Sequence, residues 1–383
     1  MKKVLSLLLI AVFLTFPIAA SAQKGSFPET KQLQSPQNPR LGFVIHGGAG
    51  VIRRGDLSLE KEKAYRAKLE EALMAGYKAL QDGKTSLDAV QIAINLLEDS
   101  PLFNAGKGAV FTADGKNELD AAIMDGKDLR AGAVAGLRHV KNPINLARTV
   151  MEKSPHVMMI GDGAEQFAKE QNIELVSEKY FFTQERWDSL QRIIKQEKEK
   201  EKLKEVQNPK PKTQSLQKSG QKSVVGGQQQ SAIRNPQSAL ELPYNKFGTV
   251  GAVALDKDGN LAAGTSTGGM TYKKYGRVGD VPIIGAGTYA NNLTCAVSAT
   301  GWGEFFIRLG VARDISALME YRAMPIQQAV DTVIKQKLQK AGGDGGVIAI
   351  DKFGNIGISF NSEGMYRAYV DSNGKPVVEI YKD

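Results

Sequence analysis

Late in the chain the sequence changes texture at a single peptide bond. Residues 197–247 are polar and basic, rich in Lys, Gln, Ser and Pro, with few apolar side chains. Such a run cannot bury enough surface to offset its ordering entropy, so it is expected to be a disordered basic linker. It stops at Phe247-Gly248. Thr249 then opens Val250-Gly251-Ala252-Val253-Ala254-Leu255, a buried-strand pattern. Asp256-Lys257-Asp258-Gly259-Asn260 has the composition of a tight turn, and Leu261-Ala262-Ala263-Gly264-Thr265-Ser266-Thr267 can return as a second strand. The globular part therefore comes in two pieces, 41–196 and 248–383, joined by a tether.

The position of Thr249 carries a chemical implication. If the Gly248–Thr249 bond were cut, Thr249 would hold a hydroxyl nucleophile and a free α-amine on adjacent carbons, the amine acting as general base. An unperturbed α-amine titrates at about 7.7–8.0, close to the pH at which a base is most efficient. Gly248, lacking Cβ, allows the backbone strain that cutting at this bond would need. The same Gly-Thr pair also serves as a plain strand entry, so the rest of the chain has to decide.

Bulk properties narrow the function classes. The formal charge of +9 is concentrated in the linker, which has no interleaved aromatics to stack bases, so no nucleic-acid partner is expected. Lys2 and Lys3 precede an apolar run from Val4 to Leu14, and Ala20-Ser21-Ala22 follows as a small-x-small cleavage site. Residues 1–22 therefore read as a signal peptide and 23–40 as a disordered leader. The mature protein is expected to be exported, to the periplasm or outside, with no membrane attachment once the signal is removed. Cys295 is the one cysteine, so no intrachain disulfide can form. His46 has no second ligand at metal-binding spacing, and Gly47-Gly48-Ala49-Gly50 after it reads as an anion-cradling loop or a turn where backbones cross closely.

The remaining pattern alternates strands and helices. Gly42 to His46 reads as a strand. Ser58 caps a helix to Asp82, and Thr85-Ser86-Leu87-Asp88 is a capping box before a second helix with Val90, Ile94 and Leu97 inward. Two strands pair through Asp125-Gly126, Asn142-Pro143 starts another helix, and Val157 to Ile160 reads as a short buried strand. Further strands run through Cys295 and around Gly354, with paired helices from Phe305 and Pro325 between them. Strands at both ends with helices between imply an α+β fold with sheets packed on each other.

Four elements are candidates to meet at Thr249. Thr265 and Thr267 share one strand face with it, and Thr267 can bond the nucleophile; threonine is equally a good strand residue. Arg277 and Asp280, in a glycine-containing loop with Val278 and Gly279, match the two charged ends of an amino acid, or form a surface ion pair. Thr300 with the backbone N–H of Gly301, next to Trp302 and Gly303, can form an oxyanion hole or a strand-to-helix turn. Asn104, in a glycine-flanked loop, is a candidate to orient water or the Thr249 amine.

Taken together, these pieces resemble the plant-type asparaginase / isoaspartyl peptidase family of N-terminal nucleophile hydrolases. The resemblance rests on His46-Gly47-Gly48-Ala49-Gly50, Pro101-Leu102-Phe103-Asn104-Ala105-Gly106, Gly248-Thr249-Val250-Gly251-Ala252, Thr265-Ser266-Thr267-Gly268-Gly269, Gly276-Arg277-Val278-Gly279-Asp280 and Thr300-Gly301 with Gly303-Glu304. It implies a four-layer αββα sandwich, autocleaved between Gly248 and Thr249 into alpha and beta subunits that assemble as a dimer of heterodimers. By resemblance, Thr249 is the nucleophile and Thr267 its hydrogen-bond partner. Arg277 and Asp280 would grip the substrate ends, Thr300 and Gly301 would hold the oxyanion, and Gly303 would touch substrate. A structural sodium on backbone carbonyls of Leu97, Glu98, Ser100, Phe103, Ala105 and Lys107 is implied, and no other cofactor. Trp302 stands where many relatives have a small residue, which would narrow the pocket, and the linker is longer than expected.

The expected activity is hydrolysis of isoaspartyl dipeptides and L-asparagine to L-aspartate. A glycosylasparaginase is the enzymatic alternative, although its precursors carry His-Asp rather than Phe247-Gly248 before the nucleophile. An exported amino-acid-binding protein using Arg277 and Asp280 without turnover is the other.

Overall fold

A computed structural model describes residues 32–37, 40–207 and 248–382. The expected signal peptide, most of the expected leader and the expected linker beyond Gln207 lie outside the described residues. The chain begins with β1 (Leu33–Gln34), β2 (Gly42–Gly50), α1 (Leu59–Gln81) and α2 (Ser86–Glu98). It continues through β3 (Leu119–Asp125), β4 (Ala131–Leu137), α3 (Pro143–Lys153), β5 (Met158–Ile160), α4 (Gly161–Glu170) and α5 (Gln184–Gln207). After the linker come β6 (Val250–Leu255), β7 (Leu261–Thr267), β8 (Thr288–Ala290) and β9 (Cys295–Gly301). The chain then runs through α6 (Gly303–Leu309), α7 (Val311–Arg322) and α8 (Ile326–Asp331), which passes into a π-helical turn at Thr332–Leu338. It ends with β10 (Gly345–Asp351), β11 (Asn355–Phe360), β12 (Gly364–Val370) and β13 (Pro376–Tyr381).

Among the described residues these strands form an eight-stranded sheet, in the order β13-β12-β2-β6-β7-β3-β4-β5, and a five-stranded sheet, β1-β11-β10-β9-β8. Helices and sheets are mixed, an α+β fold. Helices α1, α2 and α3 pack on the larger sheet, and α7 and α8 on the smaller. Strands β2, β6 and β7 lie against β9 and β10 of the other sheet. The period-two alternation of the strands explains how both faces stay dry. Val250, Ala252 and Ala254 of β6 join the core under the helices, whereas Val253 and Leu255 join the core between the sheets. Thr249, at the odd parity of that strand, therefore faces inward between the sheets.

Local signals read from the sequence are present. Ser58 accepts from the Lys61 N–H at the start of α1, and Thr85 and Asp88 form both bonds of the capping box. Cys295 is fully buried in β9.

Four local expectations differ. Leu33 and Gln34 of the leader pair with Ile356 and Asn355, adding an edge strand that protects β11. The helix expected to decay near 197 continues to Gln207, with Glu197 and Lys200 paired one turn apart on its charged surface. The glycine run after His46 is no turn but the end of β2, bonded to β12 across a register shift. The strand Met158–Ile160 is not buried: it is the parallel outer edge of the larger sheet, and Val157, Met158 and Ile160 are exposed.

Glycine allows a close helix–sheet approach. A Cβ on Gly132 of β4 would lie 1.9 Å from the Ala147 carbonyl oxygen and 2.7 Å from the Met151 amide of α3. Backbone cannot yield as a side chain does, so Gly132→Ala is expected to cost about 1–3 kcal/mol or more, measured as the shift in urea midpoint at constant slope; an unchanged midpoint would contradict this packing.

Candidate active site

The β6–β7 register brings the first two candidates together. Val250 pairs with Ser266, so Thr249 stands opposite Thr267, and their hydroxyls lie 3.2 Å apart. The Thr267 hydroxyl also donates to the Gly248 carbonyl oxygen at 3.0 Å and accepts from the Gly269 N–H at 3.0 Å. With its one proton given to Gly248, Thr267 can only accept from Thr249. The Thr249 hydroxyl thus lies beside the carbonyl of the residue before it, with its proton directed away.

Asn104 completes the grip on that carbonyl. Its Nδ2 donates to Gly248 O at 2.8 Å and to Gly269 O at 2.7 Å. Its Oδ1 accepts from the Val110 N–H at 2.9 Å, which fixes the amide orientation. The expectation that Asn104 would orient water or the amine differs from this placement: its side chain holds the carbonyl oxygen. That oxygen therefore has two donors, Asn104 Nδ2 and Thr267 Oγ1, arranged as an oxyanion site.

Glycines let three strands converge here. A Cβ on Gly48, whose φ is +117°, would lie 3.0 Å from Gly248 Cα and 3.3 Å from Thr249 N. A Cβ on Gly251 would lie 2.0 Å from Ser298 Oγ and 2.5 Å from His46 Nε2. Behind that close approach runs a buried polar chain that the sequence reading missed. His46 Nδ1 bonds the Thr249 carbonyl at 3.2 Å and Nε2 meets Ser298 Oγ at 2.9 Å. A carbonyl only accepts, so Nδ1 carries the proton and Ser298 donates to Nε2. Ser298 lies 2.8 Å from Thr265 Oγ1, which accepts from Thr288 at 2.7 Å. Burial pushes His46 down to about 3, so the ring stays neutral. Its signal in the sequence was a lone histidine entering a glycine run, with partners too distant along the chain to be seen.

At the charged end of the site, Arg277 and Asp280 line the same cleft but are held differently. Arg277 forks onto Glu304, with Nε and Nη2 at 2.9 and 2.8 Å from the two carboxylate oxygens. Glu304 was visible only as part of a motif. Asp280 is buried, its Oδ2 has no hydrogen-bond partner, and burial pushes its carboxyl up to about 7. Both charges converge on Gly303, where a Cβ would lie 2.7 Å from Asp280 Oδ1 and 3.0 Å from Arg277 Nη2. A buried cation, Lys273, stands behind Gly269 and donates to the Glu118 carbonyl at 3.0 Å.

Thr249, Thr267, Gly269, Arg277, Gly279, Asp280 and Gly301 line one small cleft that Gly248 closes. Its free volume of ≈ 10 Å³ barely reaches what one water molecule needs. Thr300, Val278 and Trp302 are not in its wall. The Thr300 hydroxyl accepts from the Ala49 N–H at 3.3 Å, and Trp302 packs edge-on against Phe305, ring centres 4.9 Å apart.

In the loop after α2, glycines let carbonyls crowd. A Cβ on Gly106 would lie 2.3 Å from Glu98 O, and one on Gly108 2.0 Å from Phe103 O. The carbonyls expected there as sodium ligands would all be oxygen donors, the chemistry of a hard cation rather than of a transition metal. Among the described residues no group of three His, Cys, Asp or Glu side chains could hold a metal ion.

With this geometry in place, comparison with known proteins is direct. A family model described as asparaginase matches residues 39–380. The chain is 47% identical over 341 residues to the isoaspartyl peptidase of Escherichia coli (strain K12), covering 89% of this chain and 96% of that protein. It is 48% identical over 358 residues to a putative isoaspartyl peptidase/L-asparaginase of Dictyostelium discoideum, covering 90% of this chain and all of that protein (100%). A plant-type L-asparaginase of Pyrococcus horikoshii is 42% identical over 332 residues, covering 86% and 96%.

The neutral His46 has a measurable consequence. Its folded pKa of about 3 lies below the ordinary 6.5, so the unfolded chain takes up a proton that the folded ring refuses. The stability it contributes is present above about 6.5 and is lost as pH falls toward 3. His46→Asn is expected to flatten the dependence of the urea midpoint on pH across that window relative to the native chain. Equal slopes would place the ring's proton elsewhere.

Proposed function

The chain belongs to the asparaginase family, and on that premise we propose that it is a threonine-nucleophile amidohydrolase that cuts itself between Gly248 and Thr249. The processed enzyme hydrolyses isoaspartyl dipeptides and L-asparagine to L-aspartate. The observation that carries this reading is the Gly248 carbonyl, held by Asn104 Nδ2 and Thr267 Oγ1 next to the Thr249 hydroxyl.

In the first stage the Thr249 oxygen attacks the Gly248 carbonyl carbon, and charge developing on its oxygen is met by those two donors. The C–N bond breaks, the Thr249 nitrogen takes a proton, and the resulting ester is opened by water. In the second stage the freed amine serves as base for the Thr249 hydroxyl, which attacks the side-chain carbonyl of the substrate. Ammonia or an amino acid leaves, and water releases aspartate. Asp280, with an oxygen awaiting a partner, receives the substrate ammonium. Arg277, steadied by Glu304, receives the carboxylate through the edge it keeps free. The Gly301 backbone, at the cleft wall, serves as the oxyanion donor of this stage.

The packing of the two sheets between helices supports the four-layer αββα arrangement that this reading requires. The two pieces would remain associated as a dimer of heterodimers. A sodium ion on the carbonyls of the 97–107 loop would brace Asn104. The lysines and apolar run at the start of the chain, followed by Ala20-Ser21-Ala22, support export to the periplasm or beyond. Among the described residues no helix is long and apolar enough to cross a membrane.

Denaturing mass analysis of purified protein should find a fragment beginning at Thr249, and Thr249→Ala should leave one intact, inactive chain. An unbroken native chain that still hydrolyses β-aspartyl peptides would sink the assignment. Asn104→Ala should slow self-cleavage by about 10²–10³-fold, followed by gel densitometry over time. For processed enzyme, KM should rise as pH falls through about 7, because protonated Asp280 no longer attracts an ammonium group; a KM independent of pH between 6 and 8, on the order of that pKa, would argue against this role.

A further inference from the structure

A second cavity lies on the other side of Gly248. Its volume is ≈ 360 Å³, within the about 300–1,000 Å³ typical of small-molecule sites. Gly248 is the one residue common to its wall and to the wall of the cleft around Asp280. Once the peptide at Gly248 opens and that residue withdraws, the two spaces meet at Thr249.

The cavity has an apolar wall and an unneutralised cation. Tyr65 and Tyr366 stack with ring centres 4.4 Å apart, and Phe103 meets Tyr65 edge-on at 5.4 Å. Of the charged groups that line it, Lys61 is spent on Glu185, with Nζ 2.9 Å from both carboxylate oxygens. Asp56 lies near Arg53, which itself forks onto Glu363. Arg186 is different. Its Nε and Nη2 donate to the carbonyls of Gly108 and Leu102 at 3.0 and 3.3 Å, and no carboxylate of a described residue is within ion-pair distance of it. Backbone carbonyls orient a guanidinium without cancelling its charge, so Arg186 is a positioned cation facing a cavity with an aromatic side.

We propose that this cavity is the leaving-group subsite, and that it takes the C-terminal residue of an isoaspartyl dipeptide by its free α-carboxylate on Arg186 and by its side chain against Tyr65 and Tyr366. The inference rests on the hydrolase reading above. With the aspartyl end held at Asp280 and Arg277, the carbonyl under attack sits at Thr249, and the departing nitrogen projects away from that cleft into the larger space. Ammonia, the leaving group of asparagine, fills none of it. An amino acid with a bulky apolar side chain fills both the charged and the aromatic part. The subsite therefore favours dipeptides over asparagine, and dipeptides with aromatic or large apolar leaving residues over those ending in glycine.

The test uses processed native protein with three substrates: β-aspartyl-phenylalanine, the same dipeptide capped as its C-terminal amide, and L-asparagine. A charge-assisted hydrogen bond is worth enough that capping should lower kcat/KM about tenfold. Arg186→Ala should lower the ratio of free-dipeptide to asparagine kcat/KM by about the same factor, mainly through KM, and should abolish the difference between free and capped dipeptide. Arg186→Lys should restore part of it. If asparagine is turned over while free and capped dipeptides behave alike, the subsite is overturned and the hydrolase stands. If Arg186→Ala lowers all three equally, Arg186 is structural and the subsite is likewise overturned. If processed protein turns over none of the three, the hydrolase reading itself falls.

Discussion

One carbonyl oxygen organises the site. The Gly248 oxygen accepts one hydrogen bond from Asn104 and another from Thr267, and each donor is itself held in place. Asn104 is fixed by the Val110 amide and the Gly269 carbonyl. Thr267 is fixed by the β6–β7 register and the Gly269 amide. Gly269 thus orients both donors at once, and the loop that contains it is tied down from behind by the buried Lys273. Removing any one of these supports would free the carbonyl to rotate, and a buried unsatisfied carbonyl is costly. The uncut chain therefore pays for good hydrogen bonding with a geometry in which the neighbouring hydroxyl lies against its own backbone.

The second constraint is steric. The polar chain His46–Ser298–Thr265 can sit under Thr249 only because Gly251 has no side chain. Similarly, β2 can pass beside Gly248 only because Gly48 has none. These glycines do not mark turns. They mark places where two backbones, or a backbone and a buried ring, share space that a methyl group would occupy.

What was legible in the sequence was local. The caps at Ser58 and Thr85, the β6–β7 hairpin and the inward parity of Thr249, Thr265 and Thr267 all depend on residues a few positions apart. What was not legible depended on partners far along the chain. His46 and Ser298 are 252 residues apart, and nothing near either one announces the other. Arg277 and Asp280 were expected as the two ends of a substrate grip, but that Glu304, in the first turn of α6, would take the fork of Arg277 depended on a residue 27 positions away. The run at 157–160 looked buried because it is apolar, but strand order, which single residues do not encode, puts it at an edge.

The order of strands in the larger sheet has a consequence for any break at Gly248. Strands β2 to β5 precede that bond and β6, β7, β12 and β13 follow it, yet across the sheet the two sets alternate: β13-β12, then β2, then β6-β7, then β3-β4-β5. Neither set is a contiguous block. Each lends the other its inner neighbours, like fingers of two clasped hands, so severing the backbone releases a chain end without releasing a partner. Pulling the halves apart would mean tearing three separate ladders in this sheet, the β1–β11 ladder of the other, and both hydrophobic cores, which amounts to unfolding the molecule.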